Sequence, residues 1–90
     1  MSKETEALII TGDDWEALFI DGKKVEEGHN LHDGIDRIVY IRKASRKYKF
    51  DIFKLKFGFT TDNYESYLYN VGDFHDDLSE IDYDPMEEPN

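Results

Sequence analysis

A chain of 90 residues with a formal net charge of −10 and no cysteine is narrowly bounded before any element is assigned. At this length it makes one domain with one small core, burying roughly 60–65 % of its unfolded surface, and without thiols it builds neither a disulfide nor a thiolate metal site. The negative balance argues against general affinity for nucleic acid or anionic membranes and favours fast association with basic surfaces.

In chain order, Ala7-Leu8-Ile9-Ile10 is a short apolar run closed by Thr11-Gly12-Asp13-Asp14, the pattern of a buried strand followed by a turn. Residues 15–20 read as a second strand. Asp21-Gly22 then supplies the positive φ angles of a type I′ turn, which predicts a hairpin over 15–27, ended by Gly28.

The next stretch admits two readings. Ile38-Val39-Tyr40-Ile41 is β-prone. A helix is favoured over 33–45 because Asp33 can cap it, with Asp36 three residues on, and Arg42, Lys43, Arg46 and Lys47 complement its C-terminal dipole. Ile35, Ile38 and Val39 would then share the core-facing side.

The stretch 37–57 holds eight of the eleven basic residues and one acid, +7 against −17 in the remainder. Over 47–57 apolar residues alternate with charge, Tyr48, Phe50 and Ile52 first and then Phe53, Leu55 and Phe57. A one-residue slip of this kind predicts a bulged strand with the bulge at Ile52-Phe53. Gly58 would end it.

Thr61 or Asp62 can cap a short helix carrying Tyr64, Tyr67, Leu68 and Val71 at i, i+3, i+4 and i+7, with Gly72 closing it. Phe74, Leu78 and Ile81 suggest a further helical piece. The acidic segment 82–90, with two prolines, reads as a frayed tail beyond a domain of 1–81. The expected fold is α+β: a small, mostly antiparallel sheet with one longer and one or two short helices packed on one face.

Catalytic signatures are missing. Ser2, Ser45, Ser66 and Ser79 lie in no nucleophile elbow, and the chain has no glycine-rich phosphate loop. His29 and His32, with His75, have the residue types for zinc, but the first two straddle the expected helix start, so no metal or other cofactor is expected. The carboxylates of 73–88 lack the ordered glycine and terminal glutamate of a calcium loop. A non-enzymatic protein is the expectation, with a small metal-dependent enzyme using His29 and His32 as an alternative.

Two binding readings follow. In the favoured one, an acidic surface of Asp73, Asp76, Asp77, Glu80, Asp82 and Asp84, with Tyr67 and Phe74 as aromatic anchors, occludes a basic site on a protein partner, spacing carboxylates as a nucleic acid spaces phosphates. A nucleic-acid-binding protein would be a natural partner. In the alternative, Lys47, Lys49, Lys54 and Lys56 on one strand face bind nucleic acid. That is disfavoured because alternation sends the aromatics to the opposite face. A homodimer through an edge strand or the tyrosines of 64–69 is left open.

In compactness and acidity, and in lacking catalytic motifs, the chain is similar in type to small phage- or mobile-element-encoded inhibitors and bacteriocin immunity proteins. It shares no motif with them, and the likeness assigns no residue a role. The opening Met1-Ser2-Lys3-Glu4-Thr5-Glu6 lacks the order of a signal peptide, and no apolar run approaches the roughly 20 residues of a membrane span, so a cytoplasmic location is expected.

Overall fold

The structure, a computed structural model, describes residues 5–12, 15–29, 31 and 35–86. It is a small α+β domain with a five-stranded mixed sheet in the order β3-β2-β1-β4-β5. The strands are β1 (Ala7–Thr11), β2 (Glu16–Ile20), β3 (Lys23–Gly28), β4 (Lys56–Thr60) and β5 (Tyr83–Pro85). Helices α1 (Arg37–Tyr48) and α2 (Asp62–Val71) pack on it. Only the β1–β4 pair is parallel. No described helix is long and apolar enough to cross a membrane.

The hairpin forms where expected. Asp21 and Gly22 take φ of 49° and 82°, the left-handed pair that a type I′ turn needs and that Asp and Gly tolerate. Ile20 and Lys23 pair beside it. Asp21 Oδ1 also accepts the Glu6 amide at 2.9 Å, tying the turn to the start of β1.

The two helices divide between opposite faces of the sheet, rather than sharing one. Successive strand residues point to opposite sides. Ile9 and Leu18 therefore pack with Tyr40 and Ala44 of α1, whereas Ile10, Ala17 and Phe19 pack with Tyr64 and Leu68 of α2. The central strands must be apolar on both sides. Leu18 and Phe19 are fully enclosed, one on each side, and each side chain contributes roughly 1.5–3 kcal/mol of burial.

The bulged strand expected over 47–57 is absent. Helix α1 runs on to Tyr48 and is closed by Lys49 in the left-handed conformation, whose amide donates to the Ser45 carbonyl. Ser45 Oγ donates to the Phe50 carbonyl at 2.6 Å, seating Phe50 in the core. A single 3-10 turn at Ile52–Lys54 follows, capped by Asp51, and β4 starts only at Lys56. What looked like period two was a helix end, a turn and a strand start in succession. The irregular register lies elsewhere, between Leu18 and Phe19 in the β2–β3 pairing.

Three further expectations are corrected. The core side of α1 is carried by Tyr40 and Ala44, while Ile35, Ile38 and Val39 are exposed; Asp36 is the N-cap residue, and Asp33 lies outside the described residues. Gly58 is central in β4, not its terminator. A Cβ there would lie 2.7 Å from the Tyr83 ring, so glycine is what lets β5 approach. Residues 83–85, expected in a frayed tail, form that strand, and Met86 N–H donates to the Phe57 carbonyl at 2.8 Å. Glu87 and Glu88 lie outside the described residues.

The sheet edges are largely closed. The amide of Lys24 donates to the Asp76 carbonyl, and the amide of Leu78 to the Gly22 carbonyl, so the segment around 76–78 covers part of the β3 edge. The other edge, β5, has three residues and includes Pro85, which cannot donate. Both features disfavour dimerisation by strand pairing.

Candidate functional site

Residues 62–84 contain eight carboxylates and no lysine or arginine, and they build the side of the molecule that covers the Phe19 face of the sheet. Thr61 starts this segment by accepting the Tyr64 amide on its side chain, and Asp62 and Glu65 in the first turn favour the positive helix end. With Tyr64 and Leu68 directed inward, the 3.6-residue period turns Asp62, Ser66 and Tyr69 outward. Tyr69 is 92 % exposed.

Beyond Gly72, which closes α2 with φ of 90°, the chain returns to the sheet at Phe74. That return is held by Glu27 on β3. Its carboxylate accepts Trp15 Nε1 at 3.0 Å, Lys24 Nζ at 2.6 Å and the Phe74 amide at 3.1 Å. Burial disfavours its charged form, but these three donors outweigh burial and lower its pKa. Lys24 is the counterpart: burial opposes its charge, yet Glu27 and Asp76 raise its pKa. Its ammonium also donates to the Phe74 carbonyl at 2.8 Å.

The site residues expected from sequence separate into three groups. Phe74 is 2 % exposed and stacks on Tyr64, so it is core and not an anchor. Tyr67 is half-buried and stacks on His75 at 4.5 Å between centroids. Asp76 pairs with Lys24 at 3.2 Å, Asp77 with Lys23 at 3.0 Å, and Asp82 accepts Thr61 Oγ at 2.8 Å. The Lys23 ammonium, with the Ser79 amide and hydroxyl, holds the Asp77 carboxyl down to about 2. These three acids fasten the segment as well as charging it. Asp73, Glu80 and Asp84 are exposed without such ties among the described residues.

The acidic site read from the sequence left out Asp62 and Tyr69. Both were legible, because the spacing that sends Tyr64 and Leu68 inward sends them out. They border a cleft of about 510 Å³ between α2 and the start of β2, lined also by Trp15, His29 and Glu65 and, among the described residues, by no lysine or arginine. An aromatic wall with two carboxylates suits an ammonium or guanidinium group.

The basic residues do not form the expected strand face. Lys47 is on α1, Lys49 closes it, Lys54 lies in the 3-10 turn and Lys56 on β4. The coherent basic surface is α1 itself, with five basic residues and no acid in twelve. His29 meets the Trp15 ring edge-on at 5.2 Å, and His75 Nδ1 lies 2.8 Å from the Tyr64 hydroxyl; His32 is outside the described residues. Among the described residues no three His, Asp or Glu side chains converge as metal ligands.

No protein-family model matches this chain, and no curated protein or solved structure matches it.

Proposed function

We propose that this is a non-enzymatic binding protein whose acidic α2 side occludes a basic site on a protein partner, most naturally the groove of a nucleic-acid-binding protein. The observation that carries the reading is the run of eight carboxylates over 62–84 without a lysine or arginine, in a segment whose Tyr64, Leu68, Phe74 and Ile81 pack on the Phe19 face of the sheet. A single-sign surface speeds encounter with the opposite sign by roughly 10- to 1000-fold. The exposed carboxylates Asp62, Asp73 and Glu80 give that steering. Tyr69 supplies an exposed aromatic anchor, and the Trp15–Tyr69 cleft receives a lysine or arginine side chain of the partner. The proposed occlusion is inhibitory, since a domain covering a phosphate-binding groove competes with the nucleic acid.

The test uses charge reversal at positions that do not fasten the fold. Basic proteins captured on the immobilised chain from nuclease-treated lysate are identified, and binding of the purified partner is measured for the native chain and for Asp62→Lys/Asp73→Lys/Glu80→Lys. Association is expected to slow at least tenfold in the variant and to weaken steeply with salt, and partner-bound nucleic acid is expected to compete. Binding that is indifferent to salt and to the triple reversal would sink the proposal.

A further inference from the structure

The basic face of α1 has no role in the reading above. Val39, Arg42, Lys43 and Arg46 recur at i, i+3, i+4 and i+7 and are all exposed, with Ile38 beside them at 62 % exposure. Arg37 lies over the Phe57 ring at 5.5 Å, and Lys47 reaches Glu26 at 3.8 Å. By contrast, Arg42, Lys43 and Arg46 make no ion pair within the described residues. This is a surface of three uncommitted cations interleaved with aliphatic side chains, on a molecule that is acidic elsewhere.

We infer that this face docks on the acidic α2 side of a second copy of the chain, so that copies associate head to tail. The two surfaces match in sign and in kind: Arg42, Lys43 and Arg46 with Ile38 and Val39 on one, and Asp62, Asp73 and Glu80 with Tyr69 and Val71 on the other. They lie on opposite faces of one sheet, so no single copy can bring them together. A contact between two different patches is heterologous, which gives a ring where its rotation closes and an open series where it does not, in either case concentration-dependent. The like net charges of two copies repel at a distance. At physiological ionic strength screening confines that repulsion to about 8 Å, leaving the matched patches to decide at contact.

Nucleic acid fits the α1 face less well. Its exposed surface offers Ile38 and Val39 where a nucleic-acid binder would place stacking aromatics, and a polyanion faces repulsion from the whole acidic molecule along its length. A second copy has the complementary patch, with Asp62, Asp73 and Glu80 beside the exposed Tyr69 and Val71.

Sedimentation velocity over a concentration series at about 0.1 M and about 1 M salt, where the screening length falls from roughly 10 Å to 3 Å, tests the assembly. The weight-average sedimentation coefficient is expected to rise with concentration in the lower salt only. Arg42→Gln/Lys43→Gln/Arg46→Gln and Asp62→Asn/Asp73→Asn/Glu80→Gln are each expected to weaken self-association at least tenfold while leaving the circular dichroism unchanged, because every position is on the surface. Mixed in equal amounts, the two variants supply one intact patch each and should form a 1:1 complex and nothing larger. The basic-face variant also separates this inference from the proposed function, since it leaves the partner face intact. A native chain that stays monomeric throughout, assembly that survives both sets of substitutions, or tight binding of a labelled single- or double-stranded oligonucleotide through Arg42 and Arg46 in place of assembly overturns the inference.

Discussion

Glu26 and Glu27 are neighbours on β3, yet they serve opposite faces of the sheet by different chemistry. Glu26 turns toward α1 and accepts two phenols, Tyr40 at 2.8 Å and Tyr48 at 2.7 Å. Glu27 turns the other way and takes a cation, an indole and a backbone amide. The strand's period of two makes this division automatic. One edge strand thereby fastens the basic helix chiefly by phenol donors, with the exposed Lys47 only at 3.8 Å from Glu26, and the acidic segment by a close, largely buried charge pair. The difference teaches that the acidic side commits a cation, Lys24, to its interior, whereas the basic side is held by a carboxylate acceptor whose one cation, Lys47, stays at the surface. The cations left over on α1 are free to face solvent.

The largest expected effect tests whether the two faces contribute comparably beneath these ties. Phe19→Ala empties the α2 side of its central aromatic and should cost about 4 kcal/mol; Leu18→Ala does the same for the α1 side at about 3 kcal/mol. Urea denaturation followed by circular dichroism gives both values. A cost under about 1 kcal/mol for either would mean that its face is not packed as described.

Next in size is Glu27→Gln. It strands Lys24, whose side chain is 13 % exposed, without its nearest carboxylate. Breaking a fully buried pair costs 3–5 kcal/mol, and the partial exposure here reduces the expectation to about 2 kcal/mol. Tyr40 and Tyr48 donate to different oxygens of Glu26, so Glu26→Gln keeps an oxygen acceptor for one of them and should cost about 1 kcal/mol. Equal costs for the two variants would break the contrast between charged and neutral fastening.

This contrast also shows what the sequence could and could not reveal. The hairpin was legible because Asp21-Gly22 specifies its turn chemistry locally, and α2 because Thr61, Tyr64, Leu68 and Gly72 agree on cap, face and end. The stretch 47–57 misled because Tyr48, Phe50 and Ile52 alternate by chance across a helix end whose Lys49 adopts φ of 59°, a conformation more common for Gly or Asn. Phe53 was counted as core but is 90 % exposed. The division of helices between faces follows from Ile9 with Ile10 and Leu18 with Phe19, apolar runs without alternation, which signal burial on both sides. Glu26 and Glu27 gave no such warning. A part-buried carboxylate is not recognisable in the sequence when its donors come from elements 12 and 47 residues away.

The smallest effect at neutral pH, and the most specific to the α1 face, is alkaline. Burial, reinforced by the Glu26 carboxylate, pushes the Tyr48 hydroxyl up to about 12 and raises Tyr40 as well. An unfolded tyrosine ionises near 10, so the protonated phenols contribute stability that is fully present below pH 10. It is lost as pH rises through the folded values, because the unfolded chain releases the protons first. The urea midpoint should therefore hold steady from pH 7 to about 9 and fall beyond about 10, and the fall should be shallower in Tyr40→Phe/Tyr48→Phe. On the other face Tyr64 is also raised, burial being its leading cause and the His75 amide opposing it, so some alkaline loss must persist in that double variant. Glu26→Gln separates the two faces directly. Removing the carboxylate charge should bring the phenolate absorbance of Tyr48 and Tyr40 to lower pH while leaving Tyr64 unmoved. If the titration is the same with glutamine at 26, burial alone sets these phenols, and Glu26 is only a geometric acceptor for α1.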